Sequence, residues 1–261
     1  MKSLISKGKT YKYNCFEYVD DEDLENSLIY KENNECLIAY KVLIDKIQLY
    51  WACNSRDNLI KELNNFITEM KGNKIYVEFI PEDFIEAMNT IGFNIESEFI
   101  DLWYKDLTKY ICNSSTSVEI RELKESETQK ASLLTKSCKG LSRGFNGEDE
   151  EVIKEWYQTE NSKIFVAEKD NEISGVALVN LYGFDSEKGT VVWIRLLAVD
   201  PKYQHQGIGK SMLNYCIEWG IEKGAVRSFI ATDVENYNAL KLYEGIGYER
   251  NEGRGQINME N

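Results

Sequence analysis

Hydrophobic and polar positions in the second half of the chain predict a regular series of strands and helices. An apolar, β-branched run over 191–199 predicts a strand that stops before Pro201. The apolar residues that follow recur at helical spacing and predict a helix over 208–222. The same reasoning predicts a strand over 226–232 and a short helix over 236–245. A short polar segment therefore leads from the first strand into the first helix.

The residues before this unit complete a mixed order of elements. They predict a strand over 118–123, helices over about 126–138 and 147–158, and strands over 163–168 and 172–182. With further strands from Gly247 and over 256–259, the order reads β, α, α, β, β, β, α, β, α, β, β. This order predicts an α+β (mixed α/β) fold.

The first half of the chain repeats part of this order. It predicts a strand at Ile47–Cys53, an amphipathic helix at Asp57–Met70, a strand at Lys74–Ile80, a short helix at Glu82–Thr90 and a strand from Gly92. We interpret it as a second copy of the same fold, and an unrelated α+β domain is the alternative. The polar patch at 112–117 is the best boundary, so the predicted domains are 1–115 and 116–261.

The polar segment after the strand at 191–199 carries a candidate phosphate-binding motif. At a strand-to-helix turn, unpaired backbone N–H groups and the positive end of the helix dipole favour an anion. A nucleoside-triphosphate loop would need glycine at Gln204, and a dinucleotide loop would need a small residue at Met212. Neither pattern fits, and Gln204-x-x-Gly207-x-Gly209 remains.

A second motif follows the strand at 226–232. It reads Asn236-x-x-Ala239-x-x-x-Tyr243-x-x-x-Gly247-Tyr248. Together, the two motifs resemble the GNAT superfamily of acyl-CoA-dependent N-acetyltransferases, in which the Gln-x-x-Gly-x-Gly loop holds the pyrophosphate. The resemblance covers roughly residues 116–261. It implies two GNAT-like domains, each a centrally splayed mixed sheet flanked by helices, with the N-terminal one degenerate.

The resemblance also implies acetyl-CoA as cofactor and an amine as acceptor. The strands at 191–199 and 226–232 are expected to splay apart, the pantetheine arm to lie between them, and the amides of 206–211 to hold the diphosphate. Gln204 is expected to brace the loop. The residues thus assigned to cofactor binding are Leu197, Ala198, Val199, Gln204, His205, Gln206, Gly207, Ile208, Gly209, Lys210, Ser211, Asn236 and Tyr243.

The same resemblance assigns catalytic roles. Tyr243 is the candidate acid for the leaving thiolate, and an amine acceptor needs a base. Many relatives carry a glutamate on the strand before the loop, but Arg195 is the only ionisable residue of this strand. Asp233 is therefore the first candidate base. A chain of water molecules is one alternative, and carboxylates in the segment expected to cover the acceptor pocket are others: Glu148, Asp149 and Glu151.

The first copy lacks this chemistry. Aligned on the second copy, it has Ser55 and Asp57 in place of the two loop glycines and Met88 in place of the tyrosine. A carboxylate repels a diphosphate, and a thioether has no proton to donate. We therefore predict that the first half is structural or shapes the substrate site.

Composition excludes several other functions. The chain has 261 residues, a net charge of −13, six scattered cysteines and a single histidine, His205. The charge argues against nucleic acid but suits a cationic amine. The scattered cysteines and lone histidine predict free thiols and no metal site. No apolar run is long enough for a membrane span or signal peptide, so a cytoplasmic protein is expected.

Three functions stay open on the sequence alone. The first is acetyl transfer from acetyl-CoA to a small or peptidic primary amine by direct attack in a ternary complex. The second is a non-catalytic acyl-CoA-binding regulator, suggested by the missing strand glutamate. The third is a tandem enzyme with two cofactor sites. The sequence fixes neither the acceptor nor the oligomeric state, and a homodimer is compatible with it.

Overall fold

The computed structural model describes residues 2–112 and 118–261 of the chain. Two compact units are present, one formed by Met1–Glu98 with Arg254–Asn261 and the other by Phe99–Gly253. The predicted domain boundary at 115/116 lies outside the described residues. The units divide elsewhere because the end of the chain pairs within unit 1, whereas residues 99–104 pair within unit 2.

Both units contain α-helices and β-strands. The strands are β1 (Tyr13–Asn14), β2 (Leu28–Glu32), β3 (Cys36–Val42), β4 (Ile47–Cys53), β5 (Ile75–Val77), β6 (Asn94–Tyr104), β7 (Glu119–Glu122), β8 (Ser162–Lys169), β9 (Glu172–Tyr182), β10 (Val191–Val199), β11 (Arg227–Asp233), β12 (Glu249–Arg250) and β13 (Gln256–Glu260). The α-helices are α1 (Lys2–Gly8), α2 (Arg56–Glu69), α3 (Ile85–Thr90), α4 (Thr128–Ser137), α5 (Glu150–Gln158), α6 (Ile208–Glu222) and α7 (Tyr237–Ile246). Short 3₁₀ turns cover Glu82–Phe84, Leu107–Lys109, Glu125–Glu127 and Pro201–Tyr203.

Unit 1 is a mixed sheet around a buried tryptophan. Its strands follow the order β2-β3-β4-β5-β13, with β4 and β5 parallel and the other neighbours antiparallel. Trp51 of β4 is fully buried, and its indole N–H donates to the carbonyl of Glu78 at 2.8 Å. The helix α2 begins at Ser55, whose hydroxyl accepts a hydrogen bond from the amide of Asn58 at 3.3 Å.

Unit 2 is a mixed sheet covered by helices on both faces. The strands β11, β10, β9, β8 and β7 follow one another, and the second half of β6 pairs antiparallel with β11. Side chains alternate between the faces, so that Phe165 and Ala167 of β8 pack with α6 whereas Ile164 and Val166 pack with α4 and α5. The mixed α/β architecture predicted from the sequence is confirmed.

Most of the predicted elements are present, with shifts at their ends. The strand predicted over 74–80 is shorter, and the helix predicted over 147–158 begins at Glu150. The last strand, predicted within the second half, instead pairs antiparallel with β5. Such pairing is non-local and leaves no trace in the local pattern.

Candidate active site

The strands β10 and β11 separate along their length. Their parallel pairing is confined to Val191–Arg227, Val192–Ser228 and Trp193–Phe229. Beyond these pairs β10 continues to Val199 and β11 to Asp233, and β10 stays paired with β9 on its other edge. The two strands therefore diverge toward their C-terminal ends, at the position that the sequence predicts.

A bulge in β10 lies where this divergence begins. Ile194 and Leu196 pair with consecutive residues of β9, so Arg195 is an extra residue in the strand. Since an extra residue breaks the alternation of side chains, Ile194 packs on the α6 side whereas Leu196 packs with α4 and α5. The guanidinium carbon of Arg195 lies 5.3 Å from the ring centroid of Trp156 in α5. Arg195 is thus directed to the α4–α5 face.

The loop between β10 and α6 is held by its own residues. The side-chain amide of Gln204 donates to the carbonyl of Val199 at 3.0 Å, which is the bracing contact expected for this glutamine. His205 and Gly207 both have left-handed backbone conformations, with φ of 59° and 82°. Glycine adopts this conformation without strain, and at Gly207 it turns the chain into α6. His205 itself is exposed.

The N-terminus of α6 presents backbone donors at this turn. The amide of Ser211 donates to the carbonyl of Gly207 at 3.0 Å and forms the first turn of the helix. The amides of Ile208, Gly209 and Lys210 precede this bond, so they have no carbonyl within the helix to pair with. The buried side chains of Ile208 and Ser211 pack inward, and only their backbone belongs to the loop surface.

The loop leaves room for a close ligand. A Cβ atom on Gly207 would meet no atom within 4 Å, and one on Gly209 would make ordinary contacts at 3.5 and 3.6 Å. Steric contacts within the protein therefore do not require a glycine at Gly207 or at Gly209. Two lysines add positive charge: Lys169 of β8 hydrogen-bonds to the side chain of Gln206, and Lys210 is exposed. The donor set suits a diphosphate.

The helix α7 places the predicted asparagine and tyrosine. The side chain of Asn236 caps the helix by accepting from the amide of Ala239 at 3.3 Å. Tyr243 is buried in the core cluster on the α6 side, near Tyr248. Burial raises the pKa of the Tyr243 hydroxyl far above its ordinary value. This phenol therefore keeps its proton throughout the physiological pH range.

Asp233 lies at the end of β11 and forms an ion pair with the partly exposed Arg143. Its side chain is fully buried, and Oδ1 accepts from Nε of Arg143 at 3.0 Å and from the amide of Glu235 at 2.9 Å. Arg143 also reaches Glu235 at 3.0 Å. These contacts anchor the segment after α4 to the sheet. A base at Asp233 would have to act while engaged by Arg143, and its catalytic role stays a prediction.

A second ion pair joins the bulge to the segment before α5. Nη1 of Arg195 donates to Oε1 of Glu148 at 2.8 Å. Sequence reasoning named both residues separately, Arg195 as the only ionisable group of its strand and Glu148 as one of several carboxylates. It missed their pairing and the role of Arg143. A single sequence holds no signal for such contacts, since the partners are 47 and 90 residues apart.

Metal-ligand clusters and membrane-spanning helices are both absent from residues 2–112 and 118–261. No group of three or more histidine, cysteine, aspartate or glutamate residues is placed there to hold a metal ion. No helix in this described part is both long and apolar enough to cross a membrane.

Comparison with known proteins gives a family match within the second half of the chain. Residues 130–248 match the family model described as "Acetyltransferase (GNAT) family". The matched range contains the loop after β10, the helix α7 and both ion pairs. Members of this family use acetyl-CoA.

Curated relatives resemble a short part of the chain. The N-alpha-acetyltransferase 30 of Homo sapiens is 38% identical over 58 residues, which are 22% of this chain and 16% of that protein. An uncharacterized N-acetyltransferase of Methanocaldococcus jannaschii is 33% identical over 66 residues, which are 25% of this chain and 29% of that protein. The matches thus span less than a third of either relative.

Solved structures resemble nearly the whole chain. A GCN5-related N-acetyltransferase from Sphaerobacter thermophilus has a TM-score of 0.63 at 12% identity, covering 92% of this chain and 83% of that one. A functionally unknown conserved protein from Staphylococcus epidermidis has a TM-score of 0.55 at 16% identity, covering 93% and 97%. At such identities the likeness concerns the fold alone.

Proposed function

Because residues 130–248 form a GNAT acetyltransferase domain, we propose that this chain transfers the acetyl group of acetyl-CoA to a primary amine. The transfer is a direct attack in a ternary complex. The observation that carries the proposal is the divergence of β10 and β11 directly before a loop that presents amide donors. A thioester can lie between the strands while its diphosphate lies on the N-terminus of α6.

The residues of unit 2 fit acetyl-CoA, which supplies an activated acetyl thioester when bound. The amides of 208–210 and the lysines near them suit the diphosphate. The backbone of 197–199, on the edge of β10 that diverges from β11, suits the amides of the pantetheine arm. Asn236 is the predicted neighbour of that arm. Tyr243 holds a proton at its hydroxyl for the leaving sulfur.

The acceptor stays open among amines of several kinds. The curated relatives act, by their names, as N-alpha-acetyltransferases or N-acetyltransferases. A peptide α-amine is therefore the first acceptor to test, with a polyamine, an aminoglycoside and a free amino acid beside it. The net charge of −13 favours the approach of a cationic amine.

The test measures thiol release from acetyl-CoA in the presence of each amine. Turnover above the amine-free rate, with acetylated product found by mass spectrometry, is the expected result. The protein's own thiols set the background. Cys112 is exposed, whereas Cys15, Cys36, Cys53, Cys138 and Cys216 are buried, so about one protein thiol per chain reacts at once.

A non-catalytic acyl-CoA-binding protein is the alternative. The observation that favours it is Arg195, which stands on the strand where many relatives carry a glutamate. Acetyl-CoA that binds, seen as a rise in the unfolding midpoint, without thiol release for any amine would support this alternative. No binding at all would contradict both proposals.

We further propose that unit 1 is a degenerate copy that holds no acyl-CoA. Its parallel pairing of β4 with β5 also stops after three residue pairs, while β4 continues to Cys53. The hydroxyl of Ser55 already takes an amide at the start of α2, and Met88 is buried in the core. Calorimetric titration is expected to give one acetyl-CoA per chain. Two would contradict this proposal.

A further inference from the structure

The bulge in β10 directs a positive charge to one face of the sheet. Arg195 follows Trp193, the last residue of β10 that pairs with β11, by two positions, and its side chain points toward the α4–α5 face. Tyr243 belongs to the core cluster on the opposite, α6 side. An amine that approaches from the α4–α5 face therefore comes close to Arg195 and to the side chain that is paired with it.

Arg195 forms an ion pair with Glu148, which lies in the segment before α5. Oε1 of Glu148 accepts from Nη1 of Arg195 at 2.8 Å. The side chains of Glu148 and Arg195 are 18% and 29% exposed, so a ligand can reach the pair. The Glu148 carboxylate thus lies beside β10, a strand that has no carboxylate of its own.

The backbone of Glu148 is fixed by α4. Its amide donates to the hydroxyl of Thr135 at 2.9 Å, and its carbonyl accepts from the hydroxyl of Ser132 at 2.8 Å. Gly147 has a φ of 82°, and a Cβ atom there would lie 2.5 Å from the backbone of Lys136. A glycine is therefore required directly before Glu148. These constraints direct the carboxylate to Arg195.

Other charged groups around Glu148 have different partners. Lys136 of α4 pairs with Asp149, Glu150 of α5 pairs with Lys154 at 2.8 Å, and Arg143 pairs with Asp233. Glu151 is exposed in the first turn of α5. Among the carboxylates of this segment, Glu148 is the one in contact with a side chain of β10.

We propose that Glu148 accepts the proton of the acceptor ammonium and that Arg195 positions it, an inference that rests on the proposed acetyl transfer. The ammonium gives one proton to the Glu148 carboxylate, and the freed nitrogen lone pair forms the N–C bond to the acetyl carbonyl. The C–S bond breaks, its electron pair stays on sulfur, and the sulfur takes the Tyr243 proton. The second nitrogen proton restores the Tyr243 phenol, and Glu148 releases its proton to water.

The test compares Glu148→Gln with the wild type across pH, using the amine that the wild type acetylates fastest. At pH 7 the expected loss in kcat/KM is about 100-fold. Because a free amine needs no base, the loss shrinks as the pH rises toward the amine's own pKa. Glu155→Gln, an exposed carboxylate change on α5, is the control and keeps the wild-type profile.

Variants of Arg195 separate positioning from structure. Arg195→Gln is expected to lower kcat/KM by about 10-fold, and Arg195→Lys to recover most of that loss through a single N–H donor. Because Arg195 acts through Glu148, the double variant Glu148→Gln/Arg195→Gln is expected to be no slower than Glu148→Gln alone. Multiplied losses would contradict the positioning role.

Two controls keep the outcomes distinct. Each variant must show the wild-type rise in unfolding midpoint with acetyl-CoA, which establishes a folded unit 2 and an intact cofactor site. With that control passed, equal kcat/KM in Glu148→Gln and wild type, or an equal loss at every pH, would overturn the inference. A wild type that acetylates no amine would instead overturn the proposed function.

Discussion

The left-handed turn at Gly207 offers a test that separates strain from cofactor binding. We compare Gly207→Ala with Gly224→Ala, at the two ends of α6. Both glycines have positive φ, 82° and 89°, and an added Cβ would meet no atom within 4 Å at either position. Each alanine therefore introduces the same backbone strain and no collision.

The size of the strain follows from the conformation. A non-glycine residue in the left-handed region costs roughly 1–2 kcal/mol. In a unit of this size, 1 kcal/mol lowers the midpoint of thermal unfolding by about 2–4 °C. Without ligand, both variants are expected to unfold about 2–8 °C below the wild type, and by similar amounts.

Acetyl-CoA then separates the two variants. At 100 times the dissociation constant, a ligand stabilises the folded protein by about 2.7 kcal/mol. Gly224→Ala is expected to gain this in full. Gly207→Ala is expected to bind acetyl-CoA about tenfold more weakly. The alanine relaxes its strained backbone, and this rotates the amides of 208–210 away from the diphosphate. The variant therefore loses about 1.4 kcal/mol of the stabilisation by acetyl-CoA.

Differential scanning fluorimetry with and without acetyl-CoA measures both effects. Equal ligand-induced shifts in the two alanine variants would refute the reasoning, since the turn at Gly207 would then contribute nothing specific to the cofactor. Unequal stability without ligand would refute the strain estimate instead.

Three further predictions concern single side chains. Tyr243→Phe is expected to lower the rate of thiol release by about 100-fold at unchanged acetyl-CoA affinity, measured by calorimetry, and equal rates would exclude Tyr243 as the acid. Arg143→Ala removes the guanidinium that contacts the buried Asp233 carboxylate and is expected to lower the free energy of unfolding in urea by about 3 kcal/mol, whereas a loss under about 1 kcal/mol would contradict a stabilising role for this ion pair. Arg121 holds the pKa of the Glu127 carboxyl at about 2, below its ordinary 4.5, so this pair stabilises the fold above pH 4.5 and the stabilisation is lost as the pH falls toward 2. Glu127→Gln is therefore expected to lose less stability than the wild type between pH 5 and 3 (urea midpoints), and parallel losses would contradict the assignment.

Elements with a strong local pattern could be predicted to the residue. The strand at Val191–Val199 and the helix at Ile208–Glu222 have the predicted bounds, as does the strand at Ile47–Cys53. The first and third are nearly continuous apolar runs, and the helix follows a glycine turn. In each case local composition and tertiary burial favour the same structure.

Elements whose bounds depend on distant contacts could not be predicted in this way. The helix α5 begins at Glu150, three residues after the predicted start, because Gly147 lies against Lys136 and Glu148 is bonded to α4. The pairing of β13 with β5 joins residues far apart in the chain.

The same distinction between local pattern and distant contacts applies to the residues of the candidate site. The turn at Gly207 and the position of Tyr243 rest on local spacing and were accessible to sequence reasoning. The partners of Arg143 and Arg195 come from elsewhere in the chain, and one sequence cannot pair them. Ionic contacts across a sheet face are set by the fold, so they become visible only in three dimensions.

The extra residue in β10 shifts the alternation of side chains along this strand. Arg195 and Leu196 both lie on the α4–α5 face, and Ile194 and Leu197 both lie on the other. Deleting Arg195 alone would restore a regular strand in which every apolar neighbour keeps its side. Loss of this one residue is therefore expected to remove the contact with Glu148 while the sheet keeps its packing on both faces.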